Sequence, residues 1–237
     1  MRFHPYHESL AVYALLSIWI CVIINYTAAE KPAEVMATYY DPFVLVLDPA
    51  HGGLDGGAVS VTGERESRIN YEIAQRAFAL ARFCGLRTLM TRDTYEIEYP
   101  AQTRSVAECK KWDTRSRVSF VNRFPEGVLL SIHQNHFPTA SPHGIQVLYA
   151  GNEKSREIAY SLTEAFRQAF TEDSCRPPEA AGKDIYLLTH VTRPAVLVEC
   201  GFLSNPTEAK KLETPDYQKK LSLVLISRFS NYRSRSF

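Results

Sequence analysis

The sequence predicts a single α/β domain: a twisted, mostly parallel sheet with helices on both faces. Three observations predict it. Short apolar runs of strand length recur along the chain. They alternate with segments whose apolar residues fall at helical spacing. A helical stretch also joins the first two runs, which makes them a parallel pair with a right-handed crossover. At 237 residues the chain is long enough for one sizeable core. A net charge of +1 argues against binding driven by phosphate neutralisation. Neither a Walker-type cradle nor a G-x-G-x-x-G turn is present, so no nucleic acid or nucleotide partner is expected.

The N-terminus differs in kind. Residues 10–24 form a 15-residue run without charge, followed by Asn25-Tyr26-Thr27-Ala28-Ala29-Glu30. That length is short for a bilayer span and fits the apolar part of an export signal, with Thr27-x-Ala29 as a small-residue cleavage site. Arg2 makes the leading region only weakly positive, so an uncleaved anchor stays open. Residues 1–29 are thus read as an export signal or membrane anchor, 30–41 as a polar connector and 42–237 as the domain. The expected location is the cell envelope or outside, with membrane contact only through the N-terminal segment.

Within the domain, residues 43–47 read as a buried strand that stops at Pro49 and meets a loop with two Gly pairs. Ile69, Ile73, Ala77, Leu80, Ala81 and Cys84 make one helical stripe, ended by Gly85. Residues 86–91 are a second strand. Residues 92–113 are polar and are expected to be a surface connection. A helix is predicted over 114–124 and a buried strand over 128–132. Ile145, Val147 and Tyr149 alternate as a half-buried strand. Ile158, Leu162, Ala165, Phe166 and Ala169 predict a helix over 155–170, and 171–184 a loop. Residues 195–198 are another apolar strand, and helices over 207–212 and 217–231 close the chain. The alternation argues one α/β domain.

Five cysteines are too few for a disulfide framework. Cys84 and Cys200 sit in apolar contexts and are expected to be buried hydrophobes. Cys109 and Cys175 lie in polar stretches, and the sequence leaves open whether they pair. No C-x-x-C appears.

Three polar residues, His51, His133 and Glu199, each follow a short apolar strand, and Glu66 opens the helix beside the first. The carboxyl edge of such a sheet is where ligands usually bind. Two histidines and a carboxylate are a standard set for a catalytic zinc ion, which lowers the pKa of a water from about 15.7 toward 7. A further carboxylate must then move the proton to the leaving group. From the residues alone this predicts amide or ester hydrolysis.

The segments Leu47-Asp48-Pro49-Ala50-His51-Gly52-Gly53, Gly63-x-x-Glu66, Ser131-Ile132-His133-x-Asn135 and Val198-Glu199-x-Gly201-Phe202-Leu203-Ser204-Asn205 together resemble the signature set of zinc-dependent N-acetylmuramoyl-L-alanine amidases of the amidase-3 type. The resemblance spans roughly residues 43–232. It implies that His51, Glu66 and His133 bind Zn2+ and that Glu199 is the general base. It implies cleavage of the amide between N-acetylmuramic acid and L-alanine in peptidoglycan. Tyr186-Leu187-Leu188 and Asn205-Pro206 are similar to the spore-cortex branch. Two departures stand out: Ala50 where the family usually has Gly, which predicts strain or an altered turn there, and His136 where a small residue is common. The alternatives are a zinc peptidase cutting within the stem peptide, or a non-catalytic peptidoglycan-binding protein of the same fold.

Other readings compete at single positions. Glu64 rivals Glu66 as a ligand. His136, His143 and His190 suit the surface or a supporting role. Arg92, Arg117 and Arg193 suit either substrate carboxylates or surface ion pairs. Only about ten residues separate His133 from Gly144, too few for a long plug over the site. That leaves control to expression timing, anchoring or an activating partner protein.

Overall fold

The first apolar run forms a strand paired on both sides within the sheet. The computed structural model describes Ser17 and residues 43–103, 105–171 and 175–233, with side chains to residue 229. The chain divides into residues 1–42 and 43–237. Ser17 apart, the expected export segment with Cys21, and the connector, lie outside the described residues. Among the described residues no helix is long and apolar enough to cross a membrane.

All six residues of β1 (Val44–Pro49) are buried. Leu45 and Leu47 enter one core and Val44 and Val46 the other, which is why a strand covered on both faces reads as an unbroken apolar run. β1 pairs in parallel with β2 (Thr88–Met90) and with β3 (Gly127–Asn135). β3 pairs in parallel with β6 (Ala195–Phe202), and β6 runs antiparallel to β4 (Gln146–Tyr149). A short β5 (Glu179–Ala180) completes the order β2-β1-β3-β6-β4-β5. The sheet is therefore parallel except for a reversed pair at one edge.

One face is covered by α1 (Glu66–Phe83), α3 (Glu153–Ala169) and α6 (Pro215–Arg233), through Ile69 and Ile73, Leu162 and Phe166, and Leu221 and Phe229. The other is covered by α2 (Val106–Asn122) and the single-turn α4 (Tyr186–His190), through Val121, Leu187 and Leu188. The short α5 (Pro206–Leu212) follows β6, capped by Asn205.

Several expectations are corrected. α2 begins at Val106, not at 114. Ser105 Oγ accepts from the Glu108 N–H at 3.3 Å while Ser105 N–H donates to Glu108 Oε2 at 3.1 Å, a capping box. Its buried stripe is Cys109, Asp113, Arg117 and Val121, two of them charged, so apolar periodicity could not reveal it. Cys84 is exposed rather than buried. The helix stops at Phe83, and a Schellman pattern (Gly85 N–H to Arg82 O, Leu86 N–H to Ala81 O) swings Cys84 outward and Leu86 inward. Cys109 and Cys175 do not pair; all four described cysteines are free. β5 and α4 lie in or just after a stretch expected to be loop. β3 and β6 run past their apolar cores, so His133 and Glu199 sit inside strands rather than after them.

Beneath the carboxyl edge lies a buried ionic cluster. Asp48 accepts from Thr91 Oγ1 and Ser131 Oγ, each at 2.6 Å, and from Arg117 at 3.4 Å. Arg117 also bonds Asp113. Burial works to raise the Asp48 carboxyl, but Arg117 and the two hydroxyls outweigh it and hold it below the usual carboxylate range. Arg117 is thus neither a substrate ligand nor a surface pair. Arg117→Ala leaves two buried carboxylates unpaired and is expected to cost about 3–5 kcal/mol in denaturant unfolding at neutral pH. A loss below about 1 kcal/mol would contradict that assignment.

Candidate metal centre

Past Pro49 the chain must leave the sheet and turn. Ala50 still donates to Ile132 O at 3.2 Å. His51 then takes φ +62°, the sole non-glycine in that region among the described residues. The strain expected at Ala50 falls one residue later, on the histidine itself. Surrounding bonds hold the turn: Gly52 and Asp55 exchange backbone bonds at 2.8 and 3.0 Å, and Tyr99 Oη donates to Gly52 O at 2.9 Å. Arg92 donates to Pro49 O at 3.0 Å and Ser67 O at 2.8 Å. The Tyr95 carbonyl accepts from the Gly53 N–H at 3.1 Å, so Arg92, Tyr95 and Tyr99, expected on a surface connection, clamp the histidine loop.

Glu66, the first residue of α1, is buried and points into the same space. Its Oε2 accepts from Ala58 N–H at 3.0 Å; its Oε1 accepts from Gln134 N–H at 3.2 Å and Asn70 Nδ2 at 3.3 Å. Gly57, at φ +68°, makes room for it. A Cβ there would stand 2.5 Å from Glu66 Oε2 and 2.9 Å from His51 Cδ2. Glu64, the rival ligand, pairs with Arg68 at 3.1 Å instead.

His133 arrives on β3 and Glu199 on β6, directly opposite one another in the ladder. The register shifts between His133 and Asn135. Glu208 accepts from Phe202 N–H at 2.7 Å and Gly144 N–H at 2.8 Å, which anchors the end of β6 beyond Glu199. Sequence reasoning missed that buried carboxylate. It also missed Asp55, whose Oδ2 lies 2.8 Å from His51 Nδ1; a carboxylate four residues after a loop histidine was the available signal.

The structure brings His51, Glu66 and His133 into one group, with ligand atoms all within 4.8 Å of one another. His51 Nε2 lies 3.4 Å from Glu66 Oε2, and His133 Nδ1 lies 3.2 Å from Glu66 Oε1. Tetrahedral zinc with bonds of about 2.0–2.1 Å needs donors about 3.3 Å apart, and each imidazole nitrogen stands near that distance from a Glu66 oxygen. Glu199 lies close enough to feel the charges of His133, Glu66 and His51. Its Oε2 is enclosed and has no hydrogen-bond partner.

The charges of the group lean on one another. Burial works to lower the His51 imidazole, but its bonds to Asp55 and Glu66 outweigh this and raise it to about 9. Burial works to raise the Glu66 carboxyl, and the two imidazoles hold it well below the usual range. For Glu199 burial wins: the carboxyl is pushed up to about 7, against the pull of His133.

The remaining candidates lie elsewhere. His136 is exposed and outside the ligand group. His143 Nδ1 is 3.0 Å from Ser141 O, and His190 stacks on Tyr186 at 3.7 Å. Arg193 donates to Asn122 O at 3.2 Å.

Fold and site together define an α/β protein with a His–Glu–His group able to hold a metal ion at the carboxyl edge of a parallel sheet and a buried acid beside it. Comparison with known proteins makes this specific. The N-acetylmuramoyl-L-alanine amidase family model (Amidase_3) matches residues 45–225, and the chain belongs to that family. It is 34% identical over 181 residues to the germination-specific N-acetylmuramoyl-L-alanine amidase of Bacillus subtilis, covering 76% of this chain and 75% of that one. It is 27% identical to the amidase AmiC of Escherichia coli, covering 81% of this chain and 53% of AmiC. Among solved structures, the CwlD amidase of Clostridioides difficile, in complex with the GerS lipoprotein, superposes with a TM-score of 0.76 at 27% identity, covering 81% of this chain and 98% of that one. AmiC2 of Nostoc punctiforme shares the fold, with a TM-score of 0.70 at 22% identity over 82% of this chain and 98% of that one. The chain is thus an N-acetylmuramoyl-L-alanine amidase, a hydrolase of the peptidoglycan amide bond.

A folded-state pKa for His51 above its ordinary value stabilises the metal-free protein fully below about pH 6.5, and the contribution is lost as pH rises through about 9. The stability difference between chelated wild type and His51→Gln is therefore expected to be greatest at pH 6 and to shrink toward pH 10, read by thermal unfolding. Gly57→Ala puts a methyl against Glu66 and His51 and is expected to weaken metal binding at least tenfold by competition titration. Unchanged affinity would show that the loop has slack the structure does not display.

Proposed function

We propose that the protein is a zinc-dependent amidase in which His51, Glu66 and His133 hold the ion and Glu199 is the general base. The enclosed, unpartnered Glu199 oxygen beside the His–Glu–His group carries this reading. A buried carboxylate without a partner is costly unless it has a task. When bound, Zn2+ supplies a Lewis acid that polarises the lactyl carbonyl and makes water nucleophilic near neutral pH.

The chain's own residues do the rest. Glu66, held by three N–H donors, keeps its two oxygens turned toward the two imidazoles. Glu199 takes the proton released as water attacks and returns it to the departing L-alanine nitrogen. Its carboxyl, raised to about 7 by burial, lies near the range proton transfer at neutral pH requires, and a nearby cation draws it toward the ionised form.

The substrate is the amide between N-acetylmuramic acid and L-alanine, in spore-cortex or wall peptidoglycan. The likeness to a germination-specific relative supports the cortex. Action there requires export, for which residues 1–29 are the candidate segment. The CwlD relative's complex with a lipoprotein supports an activating or anchoring partner for this chain as well.

Glu199→Gln is expected to keep one zinc per chain and to lose about 10²–10⁴-fold in turnover. The readout is release of intact stem peptide from purified peptidoglycan, followed by mass. Near wild-type turnover would remove Glu199 from the chemistry, and cuts inside the peptide would remove the substrate assignment.

A further inference from the structure

His51 and His133 reach the metal group by different means. His133 sits in β3, paired with Glu199 of β6 and one residue past the last pair with β1, so the sheet fixes its backbone and the direction of its side chain. His51 lies beyond the end of β1, on a loop, at φ +62°. No ladder orients it. An imidazole on such a loop can turn about its Cβ–Cγ bond, and a metal ligand must not.

Asp55 supplies the missing constraint. Its Oδ2 lies 2.8 Å from His51 Nδ1, and its Oδ1 accepts from the Gly57 N–H at 3.3 Å. The backbone of Asp55 is held in turn by its two bonds with Gly52. The side chain is therefore fixed at both ends, with its carboxylate against one ring nitrogen only. The other ring nitrogen, Nε2, faces Glu66 Oε2.

We propose that Asp55 is a positioning residue for the metal group: its carboxylate accepts from His51 Nδ1–H and so presents the Nε2 lone pair toward Glu66 and His133. An ionised carboxylate only accepts hydrogen bonds, so it selects the Nδ1–H tautomer of a neutral imidazole. That tautomer leaves Nε2 free to donate electrons to a cation. The same bond makes the ring a better donor, since the carboxylate offsets positive charge as it develops on the imidazole. Asp55 does for a loop histidine what strand pairing does for His133.

The inference rests on the zinc reading above, and the experiment separates the two. Wild type and Asp55→Ala are stripped of metal and titrated with Zn2+ against a chromophoric chelator. Zinc-loaded, ¹⁵N-histidine-labelled wild type is examined by NMR for the protonation of each His51 ring nitrogen. The expected results are one tight equivalent of zinc for wild type and a 10- to 100-fold weaker one for Asp55→Ala. In wild type, His51 carries its proton on Nδ1, shifted downfield and slow to exchange. That signature reports the bond itself, which a general loss of loop shape would not create. Affinity within threefold of wild type in Asp55→Ala, or a wild-type His51 protonated on Nε2, overturns the role of Asp55 and leaves the zinc reading standing. Failure of wild type to bind zinc overturns both. If Asp55→Ala does not fold, the wild-type spectrum alone decides.

Discussion

One buried carboxylate ties the site to the fold. Glu66 accepts N–H bonds from the Ala58 loop, from the Gln134 backbone on β3 and from Asn70 one turn along its own helix. It faces an imidazole with each oxygen. Loop, strand and helix therefore converge on a single side chain. A charge buried this deeply is tolerated only because every direction it faces offers a donor or a positive partner. The glycine at position 57 is the steric counterpart of that arrangement, since a side chain there would occupy the space of the carboxylate.

Around this group the molecule spends polar residues as supports. The Asp48–Arg117–Asp113 cluster sits under the carboxyl ends of β1 and β3, and its hydroxyl partners Thr91 and Ser131 come from beside and within those strands. Arg92 and Tyr99 brace the histidine loop from outside by bonding its carbonyls. Glu208 braces the strand that carries Glu199 by accepting from the Phe202 N–H. None of these residues belongs to the His–Glu–His group. Each removes a freedom from an element that carries a member of that group or Glu199.

Much of this was legible in the sequence, for identifiable reasons. β1, β3 and β6 are covered on both faces, so their apolar runs stand out, and the histidines and Glu199 mark where those runs meet polar space. Their ends were not legible, because ladder pairing continues through His133 and Glu199 regardless of polarity. The start of α2 escaped because its buried stripe includes Asp113 and Arg117, which satisfy one another instead of packing as hydrocarbons. The clamp of residues 92–99 escaped for a related reason. A polar side chain that turns inward to a carbonyl has the same composition as one that turns outward to water. Asp55 was visible as a letter, but only the distance to His51 gives it a task.

The proposed sharing of one divalent ion by three side chains distant in sequence, with a fourth acid beside it, is decided by a crystal structure of the zinc-loaded protein with anomalous data collected at the zinc edge. One strong peak is expected, bounded by His51 Nε2, Glu66 and His133 Nδ1, with the Glu199 carboxylate turned toward it. A peak held by other residues, or Glu199 turned to bulk solvent, would contradict it.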